Sequence, residues 1–420
     1  MTKINRRNFV QMTAGTVGLA ALPNHVARAM ASESELKFIF VQCFGGWDVT
    51  RVFANVLDNG NVATEEQGQA VELGDLVYIS HPNRPAVDSF FQSWGESCLI
   101  VNGILVPSVS HDACVHLMLT GGVAESAPDW CVLLSAPVVD TMALPHLVIE
   151  GSSFAGTMSG ISTRVGTSGN MDGLLTGHII DKVDEPTSVH GPDVESVLDA
   201  YQAQRASDWT DSQTGDQAIA LGEAFSTATG RAYEMKDMQD VVNWSGGQDF
   251  NDQTRLAVEL LANGVSRCVT VRYSGAGWDT HQDNDDTQSN NFEGLFSALQ
   301  DLLASLTNES GEAGGTLADE TVVVVISEMG RTPNLNEEDG KDHWPFTSAL
   351  VVGPGVDGGR TAGGFDDHFY GHLIDPETGE ASEDGIDLSA GSFGATLLAL
   401  AGIDYEEYLP GYQAITGLLS

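Results

Sequence analysis

The chain has 420 residues, which is long enough to bury a sizeable core in one large domain or two modest ones. Its 42% hydrophobic and 18% charged residues are typical of a soluble globular protein and exclude a disordered one. The 59 acidic residues outnumber 18 basic ones and give a formal net charge of −41, which argues against nucleic acid or anionic membranes as partners. Such a surface is typical of solubility in a salty medium, and some of the acids can bind divalent cations instead.

The N-terminus has the layout of a bacterial twin-arginine export signal. The pair Arg6-Arg7 is followed by a weakly apolar stretch at 12–22 and by the small-x-small cleavage site Ala27-Arg28-Ala29. The apolar part is too short to be a permanent membrane span, and the sequence predicts no other span. We therefore expect the twin-arginine export machinery to be a partner. Residues 1–31 would be removed as a signal peptide, leaving 32–420 in the periplasm or outside the cell.

Short apolar runs bounded by polar residues predict the strands of a sheet. In chain order they are 36–44, 98–103, 146–150, 268–273, 321–326 and 348–352. Helical patterns fall between them, at 113–119, 251–263, 292–306 and 392–401. Strands that alternate with helices predict an α/β fold, with a mostly parallel sheet covered on both faces.

Residues 151 to about 250 interrupt this alternation. They are rich in Gly and Ser at first and then become polar, with helical patterns at 194–205 and 217–239. We interpret the segment as a helical and loop insertion, or cap, within the α/β domain 32–420.

Acidic and histidine side chains follow three of the predicted strands. Asp48 comes after the first strand, Asp279 and His281 come after 268–273, and Glu328 comes after the buried run 321–326. Because ligands of open parallel sheets sit outside the carboxyl ends of the strands, we expect these side chains to share a site. A lone acid after a glycine pair is also typical of a helix cap or a turn, and that alternative stays open for Asp48.

Two further groups are candidates for the same site. Ser110 and His111 lie in a turn at the start of the predicted helix 113–119, and Asp342 and His343 lie on a loop after Glu328. Carboxylates and imidazoles are ligands for zinc and similar ions, and two such ions can clamp the oxygens of a phosphoryl or sulfuryl transfer.

We therefore predict one or two divalent metal ions: zinc, manganese or calcium. The first site is expected at Asp279, His281 and His343, and a weaker second site at Asp48, Glu328 and His111. Asp342 is a further candidate ligand.

Two cations lie beside the predicted site in a chain that has few. Arg331 and Lys341 can meet a phosphate or sulfate oxyanion, and Arg331 is the candidate for a catalytic role. Neutralisation of the local acids explains both residues equally well, so the two interpretations stay open.

The order of motifs resembles a known family. The strings GGWD, SHDACVHLMLTG, GWDTH, SEMGRTP and DHWP resemble an uncharacterised twin-arginine-exported bacterial family of the alkaline phosphatase/sulfatase-like superfamily, over essentially the whole chain. The closing string SFGATLLALAGID is similar to the last helix of sulfatase-like enzymes.

The resemblance implies a three-layer α/β/α sandwich of the alkaline phosphatase type. It also implies metal-dependent hydrolysis of a phosphate or sulfate ester in a small molecule or a polymer. The alternative is a non-catalytic exported protein of the same fold, with a metal that serves structure or partner binding.

The resemblance also assigns residues by position. Asp48 corresponds to a metal-bridging aspartate after the first strand, Asp279 and His281 to the acid and histidine of the second metal site, and His343 to a late histidine ligand. Glu328 falls where the superfamily has an Asp-His pair.

The nucleophile position departs from the superfamily pattern. Nine residues before Thr120-Gly121, where a Ser, Thr or modified Cys is usual, the chain has His111. Ser110 is adjacent and can supply a hydroxyl, whereas His111 can be a metal ligand or a nucleophile. We predict that His111 is the chemically important residue of the turn, and the competing interpretation is that it is a helix cap or a core histidine.

Overall fold

The computed structural model describes residues 36–124, 126–158, 160–165, 192–236 and 249–420. The predicted signal peptide at 1–31 lies outside these residues, as do parts of the predicted insertion. Among the described helices, none combines the length and the apolar character that crossing a bilayer requires.

Fourteen strands occur in the described part of the chain. They are β1 Lys37–Gln42, β2 Gln69–Leu73, β3 Leu76–Ser80, β4 Cys98–Leu105, β5 His146–Val148, β6 Ser162–Arg164, β7 Cys268–Arg272, β8 Thr321–Ile326, β9 Gly330–Arg331, β10 His343–Trp344, β11 Phe346–Val352, β12 Arg360–Gly363, β13 Leu373–Ile374 and β14 Ile386–Asp387.

Eight of these strands form the central sheet, in the order β12-β4-β11-β8-β1-β7-β5-β6. The neighbours β8, β1, β7, β5 and β6 are parallel, and β12 is parallel to β4. Within this described sheet, β11 is the strand that runs against both of its neighbours. The predicted mostly parallel α/β sheet is confirmed.

Nine α-helices accompany the strands in the described residues. They are α1 Pro85–Trp94, α2 His111–Thr120, α3 Trp130–Ser135, α4 Pro192–Asp211, α5 Asp216–Lys236, α6 Phe250–Ala262, α7 Asn284–Asn308, α8 Ala390–Leu400 and α9 Tyr405–Tyr408. Helices α4 and α5 pack against each other in the predicted insertion.

Helices cover both faces of the sheet, which makes three layers. Alternate residues of β1 point to opposite faces, so Ile39 belongs to one buried apolar cluster and Phe38 to the other. The first cluster includes residues of α1, α6 and α7, and the second includes residues of α2, α3 and α8. The predicted sandwich therefore has a separate core on each side of the sheet.

The hairpin of β2 and β3 was not predicted from the sequence. Most side chains of Gln69–Leu73 are exposed, so the strand lacks the continuous apolar run that marks the central strands. Helix α7 begins at Asn284, eight residues before the predicted start. The apolar pattern misses these residues because the first two turns of the helix are polar.

Candidate metal centre

The site lies at the carboxyl ends of the adjacent parallel strands β8, β1 and β7. Gly45, in the loop after β1, has a φ of 131°, and a Cβ atom there would lie 2.8 Å from the Cβ of Trp278. The backbone nitrogen of Gly45 also lies 2.9 and 3.0 Å from the two carboxylate oxygens of Glu328, which follows β8, and its N–H donates to them. Glycine at this position thus ties the ends of two strands together.

Two other elements complete the site. Helix α2 begins at His111, and Ser110 is its N-cap residue. The short ribbon of β9 and β10 pairs Arg331 with His343 in antiparallel register. The site therefore combines strand ends, a helix start and a ribbon that are far apart in sequence.

Three histidines turn their Nε2 atoms toward the Asp279 carboxylate. The distance from Nε2 to the nearer carboxylate oxygen is 3.2 Å for His281, 3.2 Å for His343 and 3.4 Å for His111. The Nε2 atoms of His281 and His343 lie 3.0 Å apart. Three imidazoles that can bind a metal thus surround one carboxylate.

Each of these imidazoles has its Nδ1 atom next to a hydrogen-bond acceptor. The Nδ1 of His111 lies 2.7 Å from Glu328 Oε1, and the Nδ1 of His281 lies 2.8 Å from Asp342 Oδ1. The Nδ1 of His343 lies 2.8 Å from the carbonyl oxygen of Val109. Such acceptors behind metal-binding histidines fix the tautomer and the orientation of the ring.

The tautomer of His343 points a lone pair at a carboxylate and at another imidazole, and a cation between them would remove the repulsion. A carbonyl oxygen can only accept, so His343 donates its Nδ1–H to Val109, and a neutral imidazole has no second N–H. The lone pair on its Nε2 then faces Asp279 at 3.2 Å and His281 at 3.0 Å. Lone pairs and a carboxylate at these distances repel one another unless a proton or a metal ion lies among them.

The donor set fits a divalent metal ion. The ligand atoms of His111, Asp279 and His343 all lie within 4.8 Å of one another, and the buried Nε2 of His111 has no hydrogen-bond partner. Zinc bonds of about 2.0–2.1 Å in a tetrahedron separate the ligand atoms by about 3.3–3.4 Å, close to the 3.2–3.4 Å between Asp279 and each of the three imidazoles. Imidazole and carboxylate ligands together suit zinc and manganese.

Charges around the centre keep Asp279 ionised. Partial burial alone would raise the pKa of Asp279, but the hydrogen bond and charge of Arg331, helped by His343 and His111, lower it to about 2. For His111, the hydrogen bond to Glu328 raises the pKa, and this outweighs the opposing effect of burial.

Arg331, predicted as a catalytic cation, is fully buried and held by the protein itself. Its guanidinium donates to Asp279 at 2.6 Å, to the Lys341 carbonyl at 2.9 Å and to the Gly46 carbonyl at 2.8 Å. It also donates to the carbonyls of Gly45 and Trp278. This arrangement orients Asp279, and it does not present Arg331 to the cleft.

Asp48 has a different environment from the predicted ligand position. Its carboxylate is fully buried, 2.9 Å from Lys341 Nζ and 3.1 Å from Arg51 Nε. It also accepts from Asn284 and from both the N–H and the hydroxyl of Thr50, so Asp48 caps the short helical turn Val49–Arg51. Burial alone would raise the pKa of Asp48, but Lys341 and Arg51 hold it well below the ordinary range.

The structure therefore places three of the seven predicted metal ligands, His111, Asp279 and His343, within 4.8 Å of one another. A fourth, His281, lies beside Asp279 and His343. Glu328 and Asp342 stand behind two of these histidines as hydrogen-bond partners. In the described residues one metal-binding group is found, not two. Ser110 is exposed beside His111, and its side chain makes no capping hydrogen bond.

The centre opens into a cleft of about 770 Å³. His111, Asp279, His281 and Glu328 line it, and so do two residues that the sequence analysis did not select, Arg272 and Ser152. Arg272 is the last residue of β7, so the rule that sites lie at strand ends would have found it. The role of the Val109 carbonyl as the acceptor for His343 could not be predicted from the sequence, because every residue has a carbonyl.

Comparison with solved structures gives distant likenesses. The soluble domain of lipooligosaccharide phosphoethanolamine transferase A from Neisseria meningitidis is 13% identical, with 92% of each chain covered and a TM-score of 0.42. A protein in the alkaline phosphatase superfamily from Vibrio parahaemolyticus is 11% identical, with 88% of this chain and 67% of that chain covered and a TM-score of 0.40.

A further likeness is to phosphonate monoester hydrolase of Agrobacterium radiobacter. The identity is 11%, with 91% of this chain and 77% of that chain covered and a TM-score of 0.33. Among curated proteins, none matches this chain significantly.

One family model matches the chain directly. It is described as "Protein of unknown function (DUF1501)", and it matches residues 154–416, more than half of the chain. The matched region contains the strand ends of Asp279 and Glu328 and the ribbon that positions His343. The chain belongs to the DUF1501 family.

Proposed function

We propose that the protein is an exported, metal-dependent hydrolase that acts on a phosphate or sulfate ester. The observation that carries the metal-dependent part is the convergence of three imidazole Nε2 atoms on the Asp279 carboxylate at 3.2–3.4 Å. The class of ester comes from the resemblance of the motif order to the alkaline phosphatase/sulfatase-like superfamily.

His111, Asp279, His281 and His343 would hold the metal, most simply one zinc or manganese ion. When bound, such an ion supplies Lewis-acid polarisation of an ester oxygen. The chain's own residues keep the ligands in the correct protonation state. Glu328 and the Val109 carbonyl each hold a proton on an Nδ1 atom and so leave the Nε2 lone pairs toward the centre.

The position of the centre favours catalysis. The side chains of Asp279 and His281 are 48% and 45% exposed, and both line the cleft. A cleft of about 770 Å³ is within the range of small-molecule sites, so an ester group can reach the centre. Buried Arg331 and Glu328 hold Asp279 and His111 from behind, which keeps the cleft side of both free for a substrate.

One observation favours a second candidate, a non-catalytic protein with a structural metal. Closed sites with four protein ligands are typical of structural zinc, whereas catalytic zinc has three protein ligands and an open position. Three histidines and Asp279 make four. Under this second candidate the metal would fix the loops after β1, β7 and β8 for contact with a partner.

The metal is tested first, by elemental analysis of protein purified without chelators. We expect about one equivalent of zinc or manganese in the wild type and much less than half an equivalent in His343→Ala. Ser110→Ala is the matched control, since Ser110 neighbours His111 but lies outside the donor set, and it should keep its metal. Folded wild type without metal, and with a melting temperature indifferent to EDTA, would contradict the proposal.

Activity separates the two candidates. Aryl phosphates, phosphodiesters and sulfates are tested with added zinc, manganese or calcium, on wild type, His111→Ala and Ser110→Ala. We expect hydrolysis of one class, abolished by His111→Ala and retained by Ser110→Ala. Loss of activity in Ser110→Ala with metal retained would instead make the Ser110 hydroxyl the nucleophile. Inactivity on the whole panel, with metal bound, favours the structural candidate.

Export is tested separately. Replacing Arg6-Arg7 by two lysines should hold the full chain in the cytoplasm of a bacterial host, while wild type is recovered from the periplasm or medium. Equal distribution of the two forms would reject a twin-arginine route.

A further inference from the structure

Arg272 lines the same cleft as the metal centre and has no acidic partner there. It ends β7, its side chain is half-buried, and its buried Nε atom has no hydrogen-bond partner. No carboxylate in the described ranges forms an ion pair with its guanidinium. In a chain with 59 acidic and 18 basic residues, a cation left unpaired at a cleft wall is unexpected.

The position of Arg272 is fixed by its backbone. Its N–H donates to Gln253 Oε1 at 3.0 Å. Gln253 is almost fully buried, and its own amide donates to Glu150 Oε2 at 2.8 Å. These contacts hold the end of β7 without using the guanidinium. The charged head is thus not needed to hold the strand end.

A free hydroxyl lies on the same cleft. Ser152 exchanges backbone hydrogen bonds with the side chain of Gln42, at 2.7 and 2.8 Å, and these fix its position. Its hydroxyl makes no hydrogen bond within the described part of the chain. Arg272 and Ser152 therefore offer donors, whereas the charged side chains elsewhere on the wall, such as Asp283 and Glu338, are acidic.

A buried guanidinium N–H without an acceptor is costly and therefore rare in native proteins. Because the Arg272 side chain lines the cleft, an oxyanion there can form a charge-assisted hydrogen bond with the guanidinium. Neither Asp279 nor Glu328 forms an ion pair with Arg272, so the acids of the metal centre do not neutralise its charge, and an anion in the same cleft can.

We propose that Arg272, with Ser152, binds a second anionic group of the substrate, a carboxylate, sulfate or phosphate separate from the ester that is cleaved. This inference rests on the proposed function for the cleavage itself. The proposed class of substrate is then an ester whose alcohol part carries a negative charge of its own.

Two probes that resist hydrolysis test the inference, phenylphosphonate and 4-carboxyphenylphosphonate. Both are titrated into zinc-loaded full-length protein by isothermal calorimetry. We expect wild type to bind the carboxylated probe about ten- to hundredfold more tightly, the usual range for a hydrogen bond to a charged group. Arg272→Gln should bind both probes equally, with its affinity for phenylphosphonate within about twofold of wild type.

Two further variants serve as controls. Arg205→Gln removes the same charge from an exposed position on α4 outside the cleft, and it should keep the full preference. Arg272→Lys retains the charge without the planar fork and should keep part of the preference. Circular dichroism checks that each variant is folded. Equal binding of both probes by wild type, or an unchanged preference in Arg272→Gln, would overturn the inference.

The same titrations distinguish this inference from the proposed function. His343→Ala should lose zinc yet still prefer the carboxylated probe, because Arg272 is intact. A wild type that shows this preference but binds no metal and cleaves no ester would refute the proposed function alone. A wild type that binds metal but neither probe would refute the Arg272 site.

Discussion

Two Gly-Trp-Asp triplets follow neighbouring parallel strands, and their aspartates have opposite environments. Asp48, after β1, is fully buried, whereas the side chain of Asp279, after β7, is 48% exposed. The two tryptophans, Trp47 and Trp278, pack edge to face with ring centroids 6.2 Å apart. The two triplets thus pack against each other through their tryptophans, and they differ in the environments of their aspartates.

The partners of each acid account for the difference. Asp48 faces two buried cations, Arg51 and Lys341, and Asp279 faces one buried cation and three imidazoles. A carboxylate whose lone pairs are satisfied by cations and donors on all sides has no capacity left for a metal ion. The same tripeptide therefore stabilises the fold at one strand end and offers a ligand at the next.

The largest expected effect is that of Asp48→Asn on stability. The neutral amide keeps one acceptor oxygen, but Lys341 Nζ loses its buried counter-charge, and its other partners are the neutral Thr50 hydroxyl and Ala63 carbonyl. We expect the free energy of unfolding, measured in urea, to fall by about 3–5 kcal/mol, the usual result of removing one partner of a buried pair. Asp58→Ala, an exposed acid in the same region, should change it by less than about 0.5 kcal/mol.

A double variant tests the cause of that loss. Asp48→Asn with Lys341→Met removes both charges of this pair and leaves Arg51 with Glu65 and Asp285 as its acidic partners. The penalty of an uncompensated buried Lys341 charge is then absent. The double variant should be at least about 2 kcal/mol more stable than Asp48→Asn alone. If it is no more stable, the ion pair is not what Asp48 contributes.

The second largest expected effect is on the pH dependence of stability, and it comes from His146, a buried histidine on β5. Burial lowers the pKa of His146 from the ordinary 6.5 to about 4. Between these values the unfolded chain binds more protons, so stability should be complete above pH 6.5 and fall as the pH drops toward 4. The loss from this fully buried group is about 3 kcal/mol.

Urea denaturation in EDTA between pH 7.5 and 4.5 measures this loss, with His146→Gln as the comparison. Glutamine does not titrate and can still meet the Thr270 hydroxyl, which lies 2.9 Å from His146 Nε2. We expect a shallower decline in the variant. Parallel curves for the two proteins would mean that other groups control the pH dependence.

The third effect is the counterpart of the first at the exposed acid. Asp279→Ala should raise the zinc dissociation constant by more than about a hundredfold, since even partners behind a ligand contribute ten- to hundredfold. Arg331 keeps its four backbone carbonyl acceptors, so the loss of stability should be less than half that of Asp48→Asn. Competition with a chromophoric chelator gives the zinc affinity. If Asp279→Ala lowered the free energy of unfolding by more than the free energy of zinc binding, the two aspartates would not have the different roles that we assign to them.

The central sheet could be predicted from the sequence because its strands are buried on both faces and therefore form continuous apolar runs, as in Thr321–Ile326. The sequence analysis also selected all four groups of the centre, since His111, Asp279, His281 and His343 lie at a helix start, a strand end or a loop beside one. These positions follow from topology, and topology is what the pattern of elements predicts.

The roles of the acids could not be predicted in the same way. Asp48 and Asp279 share a tripeptide and a strand-end position, and only the folded chain brings Lys341 to one and His343 to the other. The Gly45 amide and the Val109 carbonyl orient Glu328 and His343 through backbone groups, which carry no sequence signal. Side chains can be placed at an edge from sequence, but their partners come from tertiary contacts.

The smallest expected effect compares the two acids that stand behind histidines. Glu328 is 1% exposed and receives hydrogen bonds from Gly45 and Ser327 as well as from His111. The side chain of Asp342 is 61% exposed, where water can replace its contact with His281. Removing the buried acid should therefore disturb its histidine more than removing the exposed one.

We expect Glu328→Gln to raise the zinc dissociation constant about ten- to hundredfold and Asp342→Asn less than about tenfold. In Glu328→Gln the amide oxygen can still accept from His111 Nδ1, but it carries no charge, and the amide nitrogen in place of Oε2 faces the Gly45 N–H as a second donor. In Asp342→Asn the amide oxygen can still accept from His281 Nδ1. The same chelator competition measures both, with Asp58→Ala as a control that should not change zinc affinity. A larger effect at Asp342 than at Glu328 would show that burial does not govern how strongly an acid supports its metal ligand here.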